Sequence, residues 1–587
     1  MAGTTRCRTE YTGMKAFLQS AQRIGLLCLL SLATSLSPAS RADSGPPAPA
    51  LAAAISQPTW AVLDPLTRLL PIDAYAGPIG GTLALAGGRN EVADGQIALF
   101  AAGRPWRAVR VSFSSLHGPG GALIANSALR WRRIGSVRTQ MPGYQTRYVG
   151  LWPDLLLAPA PFDVEARGRA FVWIDLHIPA QSKPGTYQGI LTLSSMGKPA
   201  AHVPVTLRVW GFTMPQKSHV RTAFGLGFSG RHAMDGEAVS DALLAHRLSP
   251  INCVGGPRAI APSQPGGAQT WDWTDFDRTT SRRLAQGLTG FALDFPNQTP
   301  DMARLYQEHL VKKHWLPYAY VYAADEPEQG QLPALNETLA QYKRAAPRIP
   351  LLVTARGYPQ ALTHVDIWCA AIVAERDDYF QPDGSRAEQQ RGRASWWYPA
   401  YVSHAPSINL WTDYPLLDAR IWPWLTWKHD IDGMLYWAVT NWENTPDPLT
   451  DARTFLDANG DGELFYPGAH GKPIDSLRIE CLRDGMQDYE VLCALEAGAR
   501  ELNAQGKAPA LAKQGEALCA IDNGLITDFK HFNTDPRALL TTRARMSLVL
   551  EQIVARLGHD PKIIGRPRYR PVVADAPVPQ HPGDLSK

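Results

Sequence analysis

Charge is scarce in this chain of 587 residues: Lys, Arg, Asp and Glu together supply 19%, below the roughly 25% of an average soluble protein. A net charge of +4 over that length leaves no basic stripe to follow a phosphate backbone, which excludes nucleic acid as the main partner. Cysteine is sparse as well. Beyond Cys7 and Cys28 there are only Cys253, Cys369, Cys481, Cys493 and Cys519, an odd set that excludes a disulfide framework. Cys493 and Cys519 fall in consecutive helical patterns, so an oxidising compartment would bridge them; buried free thiols are the alternative. The longest apolar run falls short of the about 20 residues a membrane span needs. The histidines are scattered, and no H-E-x-x-H, zinc-spaced Cys/His group, phosphate-cradling G-x-x-x-x-G-K-[ST] or G-x-S-x-G nucleophile elbow occurs. No metal or cofactor is expected. What the chain does have is 18 Trp, 19 Tyr and 16 Phe, with 49 Gly and 48 Pro, the profile of a large, loop-rich globular protein of about three or four domains. Core packing is one use for so many flat rings, and stacking on a flat ligand is another.

Lys15 and Arg23 precede an apolar run over 24–33, and small residues follow to Ser40-Arg41-Ala42. That order is a secretory signal peptide, with cleavage expected near Ala42 and an exported, soluble mature chain, periplasmic or extracellular, with no membrane attachment after cleavage. Residues 43–65 read as a flexible leader and 561–587 as a disordered tail.

Three organised regions lie between. Over 66–215 the period is two: Val109, Val111 and Phe113, then Val172, Ile174, Leu176 and Ile178, then Val203, Val205, Leu207 and Val209. Turn chemistry such as Lys183-Pro184-Gly185-Thr186 separates them, which predicts an antiparallel β-sandwich that braces its neighbour. Over 216–475, short apolar strands alternate with helix-length stretches; eight candidates, at 221–224, 251–254, 290–294, 319–322, 351–354, 366–370, 395–398 and 433–437, predict a (β/α)8 TIM-like barrel. Over 476–560 the helical period returns as a helical C-terminal region, with Leu482, Met486, Tyr489 and Cys493 on one face. Asp535-Pro536 and Gly558 are its last start and stop signals.

Function in such a barrel sits at the C-terminal strand ends, and Asp325-Glu326-Pro327 ends the fourth candidate strand. Like charges this close push one pKa upward, so one carboxyl keeps a proton near neutral pH and donates it to a leaving oxygen. Glu326, the longer side chain, is the candidate acid/base, and Asp325 its orienting or charge-stabilising partner. Nine of the 18 Trp lie between Trp368 and Trp442, and their faces suit the apolar faces of pyranose rings. Trp437 and Trp442 are the foremost candidates for sugar contact, with Trp397, Tyr398, Tyr466 and Asn441 behind them. Asp294 and Glu375 are the residues that a mechanism with two separated carboxylates would recruit. The run Asp457 to Glu463 imitates the start of a calcium loop, but Gly468 stands where an EF-hand needs Glu, so it reads as a structured turn. Arg483, Asp484, Asp488 and Glu490 read as ion-pairing residues that hold the helical region to the barrel.

Asp325-Glu326-Pro327, the segment Asn459-Gly460-Asp461-Gly462-Glu463-Leu464-Phe465-Tyr466-Pro467-Gly468 and the helix motif from Arg478 to Glu490 (RIECLRDGMQDYE) together resemble glycoside hydrolase family 123 and related domains of unknown function. The resemblance implies hydrolysis of terminal β-N-acetylgalactosamine with assistance from the sugar's own 2-acetamido group. Glu326 would serve as acid and then base, and Asp325 would orient and polarise the acetamido. A carbohydrate is then the expected partner. The rival readings are a glycosidase of the same fold acting on a sugar without an acetamido group, and a glycan-binding protein that has lost turnover.

Overall fold

The computed structural model describes residues 58–227, 232–260, 269–293, 299–442 and 445–564; the predicted signal segment, the tail beyond 564 and Asp294 lie outside them. Among the described residues no helix is long and apolar enough to cross a membrane.

The first region is the predicted sandwich, antiparallel except that Leu83–Arg89 pairs parallel with Lys198–Thr213. One sheet runs Thr59–Leu63, Val92–Phe100, Arg169–His177, Leu129–Arg138, Leu151–Leu157; the other runs Leu83–Arg89, Lys198–Thr213, Gly185–Ser195, Trp106–Phe113, Phe162–Val164. Val109, Val172, Ile174, Leu191 and Val205 fill the space between them. The strand Arg169–His177 is buried on both faces. Val172, Ile174 and Leu176 point into the sandwich, while Phe171 and Trp173 join the core shared with the rest of the molecule. Period two normally leaves one polar face; two apolar faces mean that the sheet is covered from outside, which is the physical form of bracing. The leader is shorter than expected. Thr59–Leu63 pairs antiparallel with Val92–Phe100 because Ala61 and Leu63 have a core to enter.

The second region is a nearly closed parallel sheet. Its strands are β1 (Arg221–Phe224), β2 (Phe291–Ala292), β3 (Ala319–Asp325), β4 (Leu351–Ala355), β5 (Ile367–Ala371), β6 (Ala394–Tyr398) and β7 (Gly433–Tyr436), in the spatial order β1-β7-β6-β5-β4-β3-β2. The eighth candidate, 251–254, is not a strand. A single bridge from Pro250 to Phe224 replaces it, with Ile251 N–H donating to Phe224 O and Ala292 N–H to Ile251 O, both at 2.9 Å. One proline and one residue of pairing on each side suffice to close the gap between β1 and β2, but no ladder extends from them.

The last region contains three helices, Leu477–Ala504, Pro509–Cys519 and Pro536–Leu557. The first, 28 residues long, is no appendage: 23 of its residues are buried. It lies against Leu416–Lys428, a barrel helix whose residues are buried from Leu416 to Trp427. Its charged residues are spent on all sides. Asp488 takes Arg420 at 2.9 Å and Arg543 at 2.6 Å, and Arg483 takes Asp94 of the sandwich at 2.6 Å. Asp535 and Gly558 cap Pro536–Leu557 as expected. The five described cysteines, Cys493 and Cys519 among them, are separate thiols.

Gly485 is where the two long helices meet. A Cβ there would stand 2.4 Å from Arg420 O and 3.0 Å from the Pro423 ring, and backbone cannot rotate away. Gly485→Ala is expected to lose about 1–3 kcal/mol by overpacking, even though Ala gains about 1 kcal/mol over Gly in a free helix. Guanidinium unfolding followed by Trp fluorescence measures it, with exposed Gly103→Ala as the neutral control. An unchanged or raised midpoint for Gly485→Ala would show that the contact does not constrain the helices.

Candidate active site

β3 and β4 build the site together. Their register slips between Tyr322 and Ala324, after which Asp325 pairs with Thr354. A bulge of this kind re-aims the side chains beyond it, and here it brings the Tyr322 and Thr354 hydroxyls to the same acceptor atom of Asp325. Tyr322 Oη donates to Asp325 Oδ1 at 2.8 Å and Thr354 Oγ1 donates to the same oxygen at 2.7 Å. Thr354 is fully buried, so its hydroxyl is a fixed support. Its carbonyl accepts the Glu326 N–H at 3.0 Å. Glu326 itself has φ +42°, a left-handed conformation that costs a non-glycine residue of order 1 kcal/mol or more. The turn thereby presents two adjacent carboxyls at the mouth of the barrel, and both residues are exposed.

Glu326 Oε1 accepts a short hydrogen bond from Tyr398 Oη. Although the turn itself is exposed, the Glu326 carboxyl bends in onto buried Tyr398, and the water lost there is the first cause that raises its pKa; the Tyr398 hydrogen bond opposes it, the Asp325 charge raises it further and Arg356 lowers it. Tyr398 is buried and its own pKa is pushed well above the phenol range, first by burial and then by the Glu326 charge, so it acts as a donor. A carboxyl whose pKa is raised, beside a second carboxyl held by two hydroxyls, can protonate a leaving oxygen while its neighbour holds a polar group of the ligand.

Of the residues expected to contact sugar, Tyr398 is at the acid and Trp437 is at the end of β7, half-buried, its ring edge-on to Phe455 at 5.3 Å and its Nε1 donating to Asp461 Oδ1 at 3.1 Å. Trp397, Trp442 and Tyr466 are corrected to core residues. Trp397 points outward from the barrel, fully buried, with Nε1 donating to Thr426 at 3.0 Å. Trp442 and Tyr466 pack on each other at 5.2 Å, and Tyr466 Oη donates to Asp154 of the sandwich at 2.7 Å. Asn441 is buried, its N–H tied to Gly462 O at 3.0 Å. Asp294 lies outside the described residues, and Glu375 is exposed in the loop after β5. Of the nine Trp between Trp368 and Trp442, eight are at most 2% exposed; the ring surplus is chiefly core.

The polar side chains at Asp457, Asn459 and Asp461 bond to different neighbours, as in a turn. Asp457 accepts from Tyr401 Oη at 2.6 Å, Asn459 pairs with Gln140 and Asp413, and Asp461 takes the Trp437 indole. The Glu463 carboxyl is fully buried without a donor among the described residues, and burial pushes its pKa well up toward the neutral acid.

Sequence reasoning missed Tyr322, Thr354, Arg356 and Tyr379. For the first two a signal existed, since an aromatic three residues before Asp325 and a Thr at the end of the adjacent strand are both placed to donate. Arg356 acts on Glu326 through its charge, and the Tyr379 phenol, raised first by burial, lies close enough to respond to the Glu326 charge; spacing reveals neither.

Residues 294–495 match the model of the glycoside hydrolase 123 catalytic domain, and residues 80–195 match that of the glycoside hydrolase 123 N-terminal domain. No curated protein matches the chain. Among solved structures, a family 123 glycoside hydrolase from Clostridium perfringens, studied for glycolipid glycan hydrolysis, superposes with a TM-score of 0.59 at 14% identity over 85% of this chain and 99% of that one. A family 39 glycoside hydrolase from Bacteroides cellulosilyticus WH2 (TM-score 0.30, 12% identity, 61% of this chain and 77% of that one) is too slight a likeness to argue from. The shared fold and the two matched domains, which together span more than half of the sequence, agree with each other: this chain belongs to glycoside hydrolase family 123.

Proposed function

We propose that this hydrolase removes terminal N-acetylhexosamine, of the β-N-acetylgalactosamine kind, from glycans by a retaining mechanism in which the substrate's acetamido group is the nucleophile. The observation that carries the reading is that Asp325 and Glu326 are neighbours on one turn. A retaining pair acting from opposite faces of the sugar stands about 5–5.5 Å apart across the ring, and an inverting pair farther; adjacent residues serve instead where the nucleophile belongs to the substrate.

In the first step Glu326 gives its proton to the glycosidic oxygen as the acetamido carbonyl attacks the anomeric carbon, forming an oxazolinium-type intermediate. Asp325, fixed by Tyr322 and Thr354, accepts the acetamido N–H and sharpens the carbonyl as nucleophile. In the second step Glu326 takes a proton from water, which opens the ring with retention. Trp437 supplies the apolar floor for the sugar. The apolar run and small residues at 24–42 support export to the periplasm or beyond.

Aryl β-N-acetylgalactosaminides, β-N-acetylglucosaminides and β-galactosides test the reading. Asp325→Asn is expected to lose about 10²–10³ in kcat on the acetamido sugar. Glu326→Gln is expected to lose about 10²–10⁴ on a poor leaving group and much less on a nitrophenyl one, since general acid help matters most where the leaving oxygen is basic. Equal turnover of galactoside and acetamido sugar would sink substrate assistance, and glycan binding without any turnover would favour a binding protein.

The pH profile gives a second test with opposite signs. Activity needs protonated Glu326, so it falls as pH rises through that group's raised pKa. Tyr398→Phe removes a hydrogen bond that lowers the pKa, and the alkaline limb of kcat/KM is expected to move up. Asp325→Asn removes a charge that raises it, and the limb is expected to move down. Limbs that stay fixed in both variants would assign the titration to another group.

A further inference from the structure

His219, Glu490 and Cys493 form a mixed nitrogen, oxygen and sulfur cluster far from the catalytic turn. His219 lies in the linker that leads from the sandwich into β1, two residues before Arg221, hence at the N-terminal end of the barrel. Asp325 and Glu326 end a strand of seven residues on the opposite face, roughly 20 Å away along the strand direction. Glu490 and Cys493 are three apart on the helix Leu477–Ala504 and therefore share one face. One donor atom from each of the three residues lies within 4.8 Å of the other two. Glu490 is 1% exposed and Cys493 5%, while the His219 side chain, at 24%, leaves a path from solvent.

The Glu490 carboxylate is already oriented. His219 N–H donates to Glu490 Oε1 at 2.8 Å, which fixes the carboxylate and leaves Oε2 directed at the ring, 2.5 Å from Nδ1. Ordering of a ligating carboxylate by a hydrogen bond to its other oxygen is what metal sites require. Imidazole, carboxylate and thiolate together suit a borderline-soft ion in a small tetrahedral shell, with a water completing four ligands; calcium and magnesium would ask for oxygen alone. The charge closes too. A thiolate and a carboxylate neutralise a divalent ion, which matters because Arg247 is close enough for its charge to respond to Glu490, and an uncompensated cation there would be repelled.

We propose that His219, Glu490 and Cys493 bind one zinc ion, which pins the sandwich–barrel linker to the long helix. Binding converts the Cys493 thiol to a zinc thiolate, whose proton goes to solvent, and the metal takes the place of the hydrogen bond between His219 and Glu490, so at least one proton is released per ion bound. The Nδ1 to Oε2 separation has to open by roughly 0.7 Å to admit the metal, a change that side-chain torsions absorb.

The full mature chain, stripped with chelator and dialysed, is titrated with zinc by equilibrium dialysis and metal analysis, and with Co²⁺ by absorbance. Expected are about one equivalent bound, a thiolate-to-cobalt charge-transfer band with the intense visible bands of tetrahedral cobalt, and a thermal midpoint that rises with zinc. Cys493→Ser and Cys493→Ala are expected to lose the charge-transfer band and bind zinc at least tenfold more weakly; His219→Gln is expected to weaken binding while circular dichroism reports an intact fold. The wild-type spectrum decides even where a variant fails to fold. Absence of the thiolate band in wild type, or stoichiometry and affinity unchanged in Cys493→Ala and His219→Gln, would overturn the site and leave a hydrogen-bonded cluster only.

Discussion

The three regions are held in one arrangement by charges that cannot be exposed singly. The helix Leu477–Ala504 carries Arg478, Glu480, Arg483, Asp484, Asp488 and Glu490 inside the molecule, where an ionised group without a partner costs several kcal/mol. The partners belong to different layers: Arg420 to the barrel, Arg543 to the last helix, Asp94, Arg132 and Asp154 to the sandwich. Removing any of these partners while the long helix stays packed leaves a buried charge uncompensated, at about 3–5 kcal/mol for each. Buried ion pairs add little net stability over apolar packing. What they contribute here is a single registered docking, because an apolar interface of Leu and Trp would tolerate sliding and this one does not.

That rigidity bears on the catalytic turn. Glu326 sits at a positive φ, and the strain persists because its N–H is bound to Thr354 O and its carboxyl to Tyr398. Thr354 is common to both carboxyls, since its hydroxyl holds Asp325 and its carbonyl holds the Glu326 backbone. One buried side chain on β4 thus sets the relative position of two groups on β3. The bulge between Tyr322 and Ala324 is the backbone cost of that arrangement.

Much of this was legible in the sequence, and the failures have physical causes. Seven of the eight candidate strands were found because a parallel barrel strand is an apolar run of fixed length between turn signals. The eighth, 251–254, failed because its pairing is confined to Pro250 and its neighbours, and one residue of pairing leaves no periodic trace. The place of the Asp325-Glu326 turn, at the end of an aromatic strand and at the mouth of the barrel, was legible in the same way. The ring surplus was misread: Trp396 and Tyr398 point into the barrel with period two, so Trp397 between them had to point out, toward Phe380 and Trp422. Alternation excluded Trp397 from the site without any structure. Trp442 and Tyr466 were beyond such reasoning, because the sandwich that buries Tyr466 through Asp154 is some 300 residues away in the chain.

The long helix reaches the site through a loop rather than through its own charges. Ser476, its N-cap, donates its hydroxyl to Leu464 O at 2.7 Å, and Arg478 donates to Leu410 O at 2.6 Å and to the carbonyls of Gly460 and Glu463. Those bonds clamp the turn from Asn459 to Leu464 at both ends. Within the turn, Asp461 receives the Trp437 indole, and Gly462, at φ +74°, lies so close to that ring that a Cβ would stand 2.4 Å from it. Trp437 is therefore held at its edge by a carboxylate and against its face by a bare backbone, and both depend on the helix start. On the proposed reading, this ties two motifs that touch no reacting atom, the Asn-Gly-Asp-Gly turn and the helix that follows it, to the chemistry assigned to Asp325 and Glu326. The turn fixes the ring and the helix fixes the turn, so a sugar resting on Trp437 would meet the proposed acid on β3 in a position that is already set.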